Sequence, residues 1–175
     1  MLRLGKLISN TTSYVEIFDS DMSTMVWTGT STTVEFSIES EPFGTGGYRK
    51  AFEATSNDRG IQGSTWVVKR YLEKASEDII AIGQTLDEHT KKVVQMHYLA
   101  QNFAAKLKDE LIASDNEILF GETMSYKKIY MGTIDGEYVT VKEFVDGTFR
   151  KYINSNGNIC QGGNADLLTK KAECL

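Results

Sequence analysis

Proline is almost missing from this chain: Pro42 is the only one in 175 residues. No low-complexity stretch or internal repeat supplies a linker in its place, so a continuous fold is expected. Cysteine is nearly as scarce. Cys160 and Cys174 both fall late and lack metal-ligand spacing, which excludes a disulfide framework and points to free thiols in a cytoplasmic setting. Histidine occurs twice, and His89 and His97 stand eight apart, whereas helical metal pairs use a spacing of four. No segment approaches the roughly 20 apolar residues of a membrane span. The first eight residues have no sustained apolar core or cleavage signal, so they do not read as a signal peptide. Without one, the sequon at Asn10-Thr-Thr12 means little. Positive charge is not in excess either. Lys and Arg number 19 against 24 Asp and Glu, a net charge of −5, which argues against nonspecific nucleic-acid binding.

What is present suits a soluble globular chain. Apolar residues make up 41% and charged residues 25%, enough for a real core in one domain or two small lobes. Residues 13–19 alternate as a strand, with Val15 and Ile17 on one face and Tyr14, Glu16 and Phe18 on the other. Residues 25–28 and 32–38 read as two further strands. Gly44, Gly46 and Gly47 mark a turn, residues 48–54 a returning strand and residues 57–63 a polar loop. Residues 65–71 are the clearest buried strand, because Trp66, Val67 and Val68 run together. A short helix is expected over 72–82 and a long one over about 85–111. On the long helix Val93, Met96, Ala100, Phe103, Leu107 and Leu111 recur at helical spacing as the core face. Residues 117–120 and 127–131 look like strands. Asp135-Gly136 is a hairpin turn into a strand over 137–145, Asp146-Gly147 ends it, and residues 165–175 begin another helix. The order is α+β, not alternating βαβ.

Several residues carry possible chemistry. Lys69 sits inside an apolar strand, where its stem packs and its ammonium either reaches water or serves as a point charge for phosphate. Gly44, Gly46 and Gly47 form either a plain hairpin or a loop of positive-φ residues whose amides face an anion. Arg49 follows as a surface arginine or a bidentate phosphate ligand. Glu143 ends its strand as a solvated carboxylate or as part of a backbone edge that reads adenine. The asparagines of 154–158 cap turns or organise a cleft. Asp87 and Glu88 favour the helix dipole, with a pairing of Glu88 to Lys69 as the alternative.

Taken together these segments resemble the alpha-kinase family of atypical protein kinases. Glu41-Pro-Phe-Gly-Thr-Gly-Gly-Tyr-Arg-Lys-Ala-Phe52 looks like the family's Pro-Phe-x-x-Gly-x-x-Arg-x-x-Phe loop. Trp66-Val-Val-Lys-Arg-Tyr71 looks like its Trp-Val-Ala-Lys-Arg-Tyr strand. Gln95-Met-His-Tyr-Leu-Ala100 with Phe103-Ala104 resembles the helix that follows. Val141-Lys-Glu-Phe-Val-Asp-Gly147, then Phe149-Arg-Lys-Tyr152 and Asn154-Ser-Asn-Gly157, resemble the hinge and its Lys-Tyr-Asn-Asn-Gly motif. The likeness covers roughly residues 33–160 and leaves 1–32 as N-terminal strands.

The resemblance implies a kinase-like N-terminal lobe of antiparallel strands with one long helix, followed by the start of a C-terminal lobe. It implies ATP-dependent phosphorylation of protein Ser or Thr, usually with magnesium. By position Lys69 would contact the phosphates and the Gly44–Arg49 loop would cover them. Glu143 and Val145 would bind adenine through backbone groups. Two departures stand out. Lys142 occupies a place where many members carry an acidic residue. The family's metal-binding and catalytic residues and its zinc site would come after Leu175, so Asp166, Cys160 and Cys174 take none of those roles here. The expectation is therefore an alpha-kinase-type portion, inactive as these 175 residues. The alternative is a non-catalytic nucleotide-binding or protein-interaction module whose uncovered surface recruits a partner or a second copy.

Overall fold

A computed structural model of the chain describes residues 9–21, 24–121, 123–148 and, further on, 151, 152, 154, 156, 158 and 160. The helix expected over 165–175 lies outside the described residues, as do Asp166 and Cys174. The strands are β1 (Asn10–Asp21), β2 (Val26–Glu39), β3 (Gly44–Thr45), β4 (Arg49–Thr55), β5 (Thr65–Tyr71), β6 (Ile129–Ile134) and β7 (Glu137–Glu143). The helices are α1 (Glu73–Ala81), α2 (Leu86–Ala113) and α3 (Glu117–Phe120). The chain divides into two compact units. The first comprises 1–96 and 127–144, the second 97–126 and 145–175.

The first unit contains one antiparallel sheet in the order β2-β1-β6-β7-β5-β4-β3, with α1 and the first part of α2. β2 also pairs with β4 through Ser37↔Thr55 and Ile38↔Ala54, so the sheet closes on itself as a ring. Its interior takes the alternate residues of each strand: Val15 and Ile17 from β1, Phe36 from β2, Trp66 and Val68 from β5, Val139 and Val141 from β7. The expected alternation of β1 therefore holds. So does the buried reading of β5, where Trp66, Val67 and Val68 are all buried. Asp135 (φ 49°) and Gly136 (φ 82°) make the tight β6–β7 turn in the left-handed conformation of a type I′ hairpin.

The segments read as two strands over 25–28 and 32–38 are one strand, β2, paired with β1 from Val26 to Glu39 across a register shift beside Phe18. Residues 32 and 33, the division drawn from sequence, both lie within it. The strand expected over 117–120 is instead the single helical turn α3, with the Phe120 amide donating to the Asn116 carbonyl at 3.0 Å. Its apolar run is too short for periodicity to separate strand from helix.

The buried face of α2 differs from the one expected. Thr90, Val94, Tyr98 and Ala104 are buried, while Met96 is 64% and Phe103 53% exposed. Both series run at helical spacing, and tertiary packing chose between them. The helix starts with a reciprocal cap. The Thr85 amide donates to Glu88 Oε2 at 3.0 Å and the Glu88 amide to Thr85 Oγ1 at 3.1 Å. The Thr85 amide, and after it the Thr85 hydroxyl donating to the same Oε2 at 3.0 Å, hold the Glu88 carboxyl below its ordinary range. Glu88 is thus a cap and not the partner of Lys69.

Candidate functional site

The outer face of the β4–β5–β7 sheet gathers the cations singled out above. Strand register sets this. Arg49 lies opposite Tyr71, Ala51 opposite Lys69 and Glu53 opposite Val67. On the other side of β5, Lys69 faces Thr140 and Val67 faces Lys142. Odd-numbered residues of β4 and β5 thus share one face with the even-numbered residues of β7. Trp66, Val68 and Arg70 point the other way.

Arg49 is anchored from three sides. Its Nη1 donates to Thr140 Oγ1 at 3.0 Å, its Nη2 donates to the Tyr71 hydroxyl, and its guanidinium carbon lies 4.3 Å from the centre of the Tyr71 ring. Thr90 Oγ1 donates to the Leu86 carbonyl at 2.6 Å. It therefore receives the Tyr71 proton over its 2.9 Å contact. The chain Arg49 → Tyr71 → Thr90 → Leu86 ties sheet to helix and fixes the guanidinium with three of its five N–H groups still free of these bonds. Sequence reading missed Tyr71, Thr90 and Thr140. The available signal was a tyrosine and a threonine at alternate positions on the face of Lys69.

Lys69 and Lys142 are half-buried, and neither has a carboxylate partner among the described residues. Burial pushes the Lys69 ammonium below its ordinary pKa, and the Arg49 charge adds to this. Lys142 is lowered by burial and then by Lys69. In a chain of net charge −5, this face is locally positive. His89 lies beside it, stacked on Tyr48 with ring centres 6.5 Å apart and meeting the Tyr71 ring edge-on at 5.8 Å.

His89 is held below its usual pKa by burial first, then by the Arg49 and Lys92 charges. The unfolded imidazole takes a proton near pH 6.5, and the folded one only at lower pH. Between those values the unfolded chain binds more protons. The stability contribution is present above about pH 6.5 and is lost as pH falls through the folded value. The drop in urea midpoint between pH 7 and pH 5 is expected to be smaller in His89→Gln than in the parent chain.

The glycine hairpin stands next to this face. Gly44 pairs with Ala51 and Thr45 with Lys50, the Gly46 amide donates to the Arg49 carbonyl at 2.9 Å, and the Leu72 amide to the Tyr48 carbonyl at 2.9 Å. Contrary to the sequence reading, Gly44, Gly46 and Gly47 do not adopt positive φ. A Cβ at Gly44 or Gly47 would meet nothing within 4 Å, and one at Gly46 only the Arg49 carbonyl at 3.8 Å. Neither backbone strain nor internal packing demands glycine there. Phe43 in this hairpin meets Phe144 edge-on at 6.1 Å, a contact between the loop and the end of β7 that the sequence did not disclose.

Glu143 closes β7 opposite Trp66, its carboxylate 3.4 Å from Lys127, and the Phe144 amide donates to the Thr65 carbonyl at 2.8 Å. Val145 follows, exposed, in the second unit. In that unit Asn154 Oδ1 accepts from the amides of Asn156 and Asn158, both at 2.9 Å, which fits the turn-capping reading. The same unit holds a groove of about 730 Å³ lined by Gln101, Ala104, Lys108, Leu111, Ile118 and Met124 among others; no predicted site residue lines it. Among the described residues no three His, Cys, Asp or Glu side chains assemble as a metal-binding group. No helix among these residues is long and apolar enough to cross a membrane.

A profile of the alpha-kinase family matches residues 44–175. Among solved structures the chain is similar to a catalytic-domain mutant of myosin heavy chain kinase A, at 14% identity and a TM-score of 0.68, with 90% of this chain and 70% of that one covered. It is also similar to the alpha-kinase domain of myosin-II heavy chain kinase A in complex with AMP-PNP, at 14% identity and a TM-score of 0.66, covering 89% and 69%. An alpha kinase from Entamoeba histolytica aligns at 16% identity and a TM-score of 0.61, covering 93% and 69%. No match to the chain is found among curated proteins. At these identities the structural matches carry the fold alone.

Proposed function

Because this chain belongs to the alpha-kinase family, we propose that it binds ATP on the cationic face of β4, β5 and β7 and serves in transfer of the γ-phosphoryl group to Ser or Thr of a protein. The observation that carries this reading is the convergence of Lys69 and the anchored Arg49 beside a glycine hairpin whose own packing needs no glycine. Lys69 offers a fixed positive charge to phosphate oxygens. Arg49, held by Thr140 and Tyr71, offers its remaining N–H groups. The bare backbone of Gly44, Gly46 and Gly47 lets phosphate approach the loop closely. The backbone groups of Glu143 and Val145 read adenine. Similar domains solved with AMP-PNP, ATP and ADP support a nucleotide as ligand.

In the transfer, the bond between the γ-phosphorus and the β,γ-bridging oxygen breaks and one to the hydroxyl oxygen forms. ADP departs and the hydroxyl proton is released. A magnesium ion arriving with the nucleotide would neutralise charge on the phosphates; the residues described do not assign its ligands. In this reading the alpha-kinase-type domain is residues 33–175, its sheet shared with β1 and the start of β2 from residues 1–32, and the protein works in the cytoplasm on a protein substrate.

A second reading, a non-catalytic nucleotide-binding or interaction module, is favoured by one departure: Lys142 stands where many family members carry an acidic residue. Calorimetric titration of ATP and a labelled-phosphate transfer assay on a Ser/Thr peptide library separate the two. A charge-assisted contact contributes about 1.5–3 kcal/mol, so Lys69→Ala is expected to weaken ATP binding by roughly 10- to 100-fold. Transfer lost in Lys69→Ala supports the kinase reading and overturns the expected inactivity of these 175 residues; ATP binding without transfer agrees with that inactivity and with the second reading. ATP binding unchanged in Lys69→Ala would sink both.

A further inference from the structure

We propose that Lys142 is a second phosphate-binding residue, so that this face takes a polyphosphate group between two lysines. The inference rests on the nucleotide reading for its location and adds a residue to it.

The register carries the argument. Lys69 lies opposite Thr140, and Lys142 lies opposite Val67. The two lysines are therefore diagonal neighbours on one face of an antiparallel pair, roughly 7–8 Å apart at the backbone and within reach of a shared group for side chains of this length. Lys142 is flanked across the strands by Val67 and by Ile129, both buried. Its stem thus lies among apolar neighbours while its charge shares a face with Lys69 and Arg49. The only carboxylate that the register places on this face of β4, β5 and β7 is Glu53, on the far side of Val67 from Lys142. Glu143 points to the other face and is taken by Lys127.

Like charges on neighbouring sheet positions are destabilising, and a half-buried ammonium without a counter-charge adds a desolvation cost. Burial and the Lys69 charge both disfavour the protonated form of Lys142. A surface lysine that only solubilises a strand would stand away from both. A ligand with several negative charges relieves this repulsion; a monoanion cannot serve three cations. The ligand class is accordingly a linear polyphosphate, whether carried by a nucleotide or free.

The test uses the full 175-residue chain and calorimetric titration with ATP, adenosine and inorganic tripolyphosphate. Lys142→Gln is expected to weaken ATP and tripolyphosphate about tenfold, Lys142→Glu further, and Lys142→Arg little. Adenosine binding is expected to be unchanged in all three. The melting temperature of Lys142→Gln is expected to equal or exceed that of the parent, which separates a lost contact from a lost fold. If Lys142→Gln leaves ATP affinity unchanged while Lys69→Ala lowers it, the inference fails and the nucleotide reading stands. If ATP does not bind but tripolyphosphate does, and depends on Lys142, the inference stands and the nucleotide reading fails. Binding of neither overturns both. An equal fall in adenosine affinity would make Lys142 a general positioning residue and overturn its assignment to phosphate.

Discussion

Trp66→Ala is expected to lower the unfolding free energy by about 3–5 kcal/mol, the range for removing a buried aromatic from a core. Trp66 is 2% exposed and sits at the centre of the ring interior. Its ring meets Phe36 edge-on at 6.5 Å and Tyr130 at a tilt at 5.7 Å. Its indole N–H donates to the Ile61 carbonyl at 3.0 Å, which ties the loop before β5 to the core. Alanine would leave a cavity, two aromatic rings without their neighbour and a buried carbonyl without its donor. Against a total of about 5–15 kcal/mol for a domain, this is a large fraction. Urea unfolding followed by circular dichroism measures it. Trp66→Phe keeps most of the volume and is expected to recover more than half of the loss. A midpoint unchanged by Trp66→Ala would mean that the interior is not the cooperative core.

Gly132→Val is expected to cost about 3 kcal/mol by prising two strands apart. Gly132 lies opposite Ile17 where β6 meets β1. A Cβ there would stand 2.8 Å from the Glu16 carbonyl oxygen and 2.9 Å from Val15 Cγ1. Neither can yield, since one is strand backbone and the other a fully buried side chain. The φ of Gly132 is not positive, so the requirement for glycine comes from close approach and not from conformation. Relief means separating β1 from β6, the seam that carries the β1–β2 ribbon onto the sheet. Hydrogen exchange is expected to show protection lost first at residues 15–17 and 131–133. A variant with parental stability and intact protection there would refute the account.

The two substitutions bracket what a reader of the sequence could foresee. Trp66 was legible as core because Trp66, Val67 and Val68 run together between polar flanks. Gly132 was not legible, because its reason is a strand more than a hundred positions away in sequence. The same contrast runs through the site. Lys69, Arg49 and the glycines stood out by type and order, and their arrangement follows the family's motifs. That Arg49 is held by Tyr71 and Thr140 and that Lys142 shares a face with Lys69 are consequences of register; that Glu88 serves Thr85 instead of Lys69 is a contact three residues apart at the start of the helix. The positive-φ ground for singling out the glycines does not hold, since their φ values are ordinary. On α2 two apolar series with the same spacing competed, and periodicity has no means to rank them.

The sequence by itself determined the local elements: the strand alternation of β1 and β7, the Asp135-Gly136 turn, the long helix, and the ordered motifs of an alpha kinase. These depend on periods of two and 3.6 residues and on turn chemistry, all encoded within a few neighbouring positions. Only the tertiary structure decided that β2 reaches β4 to close the ring, which side of α2 is buried, and which cations meet. Such outcomes depend on pairing Ile38 with Ala54 and Ile17 with Gly132. The free energy of burying distant segments against one another selects those pairings, and no local window contains it.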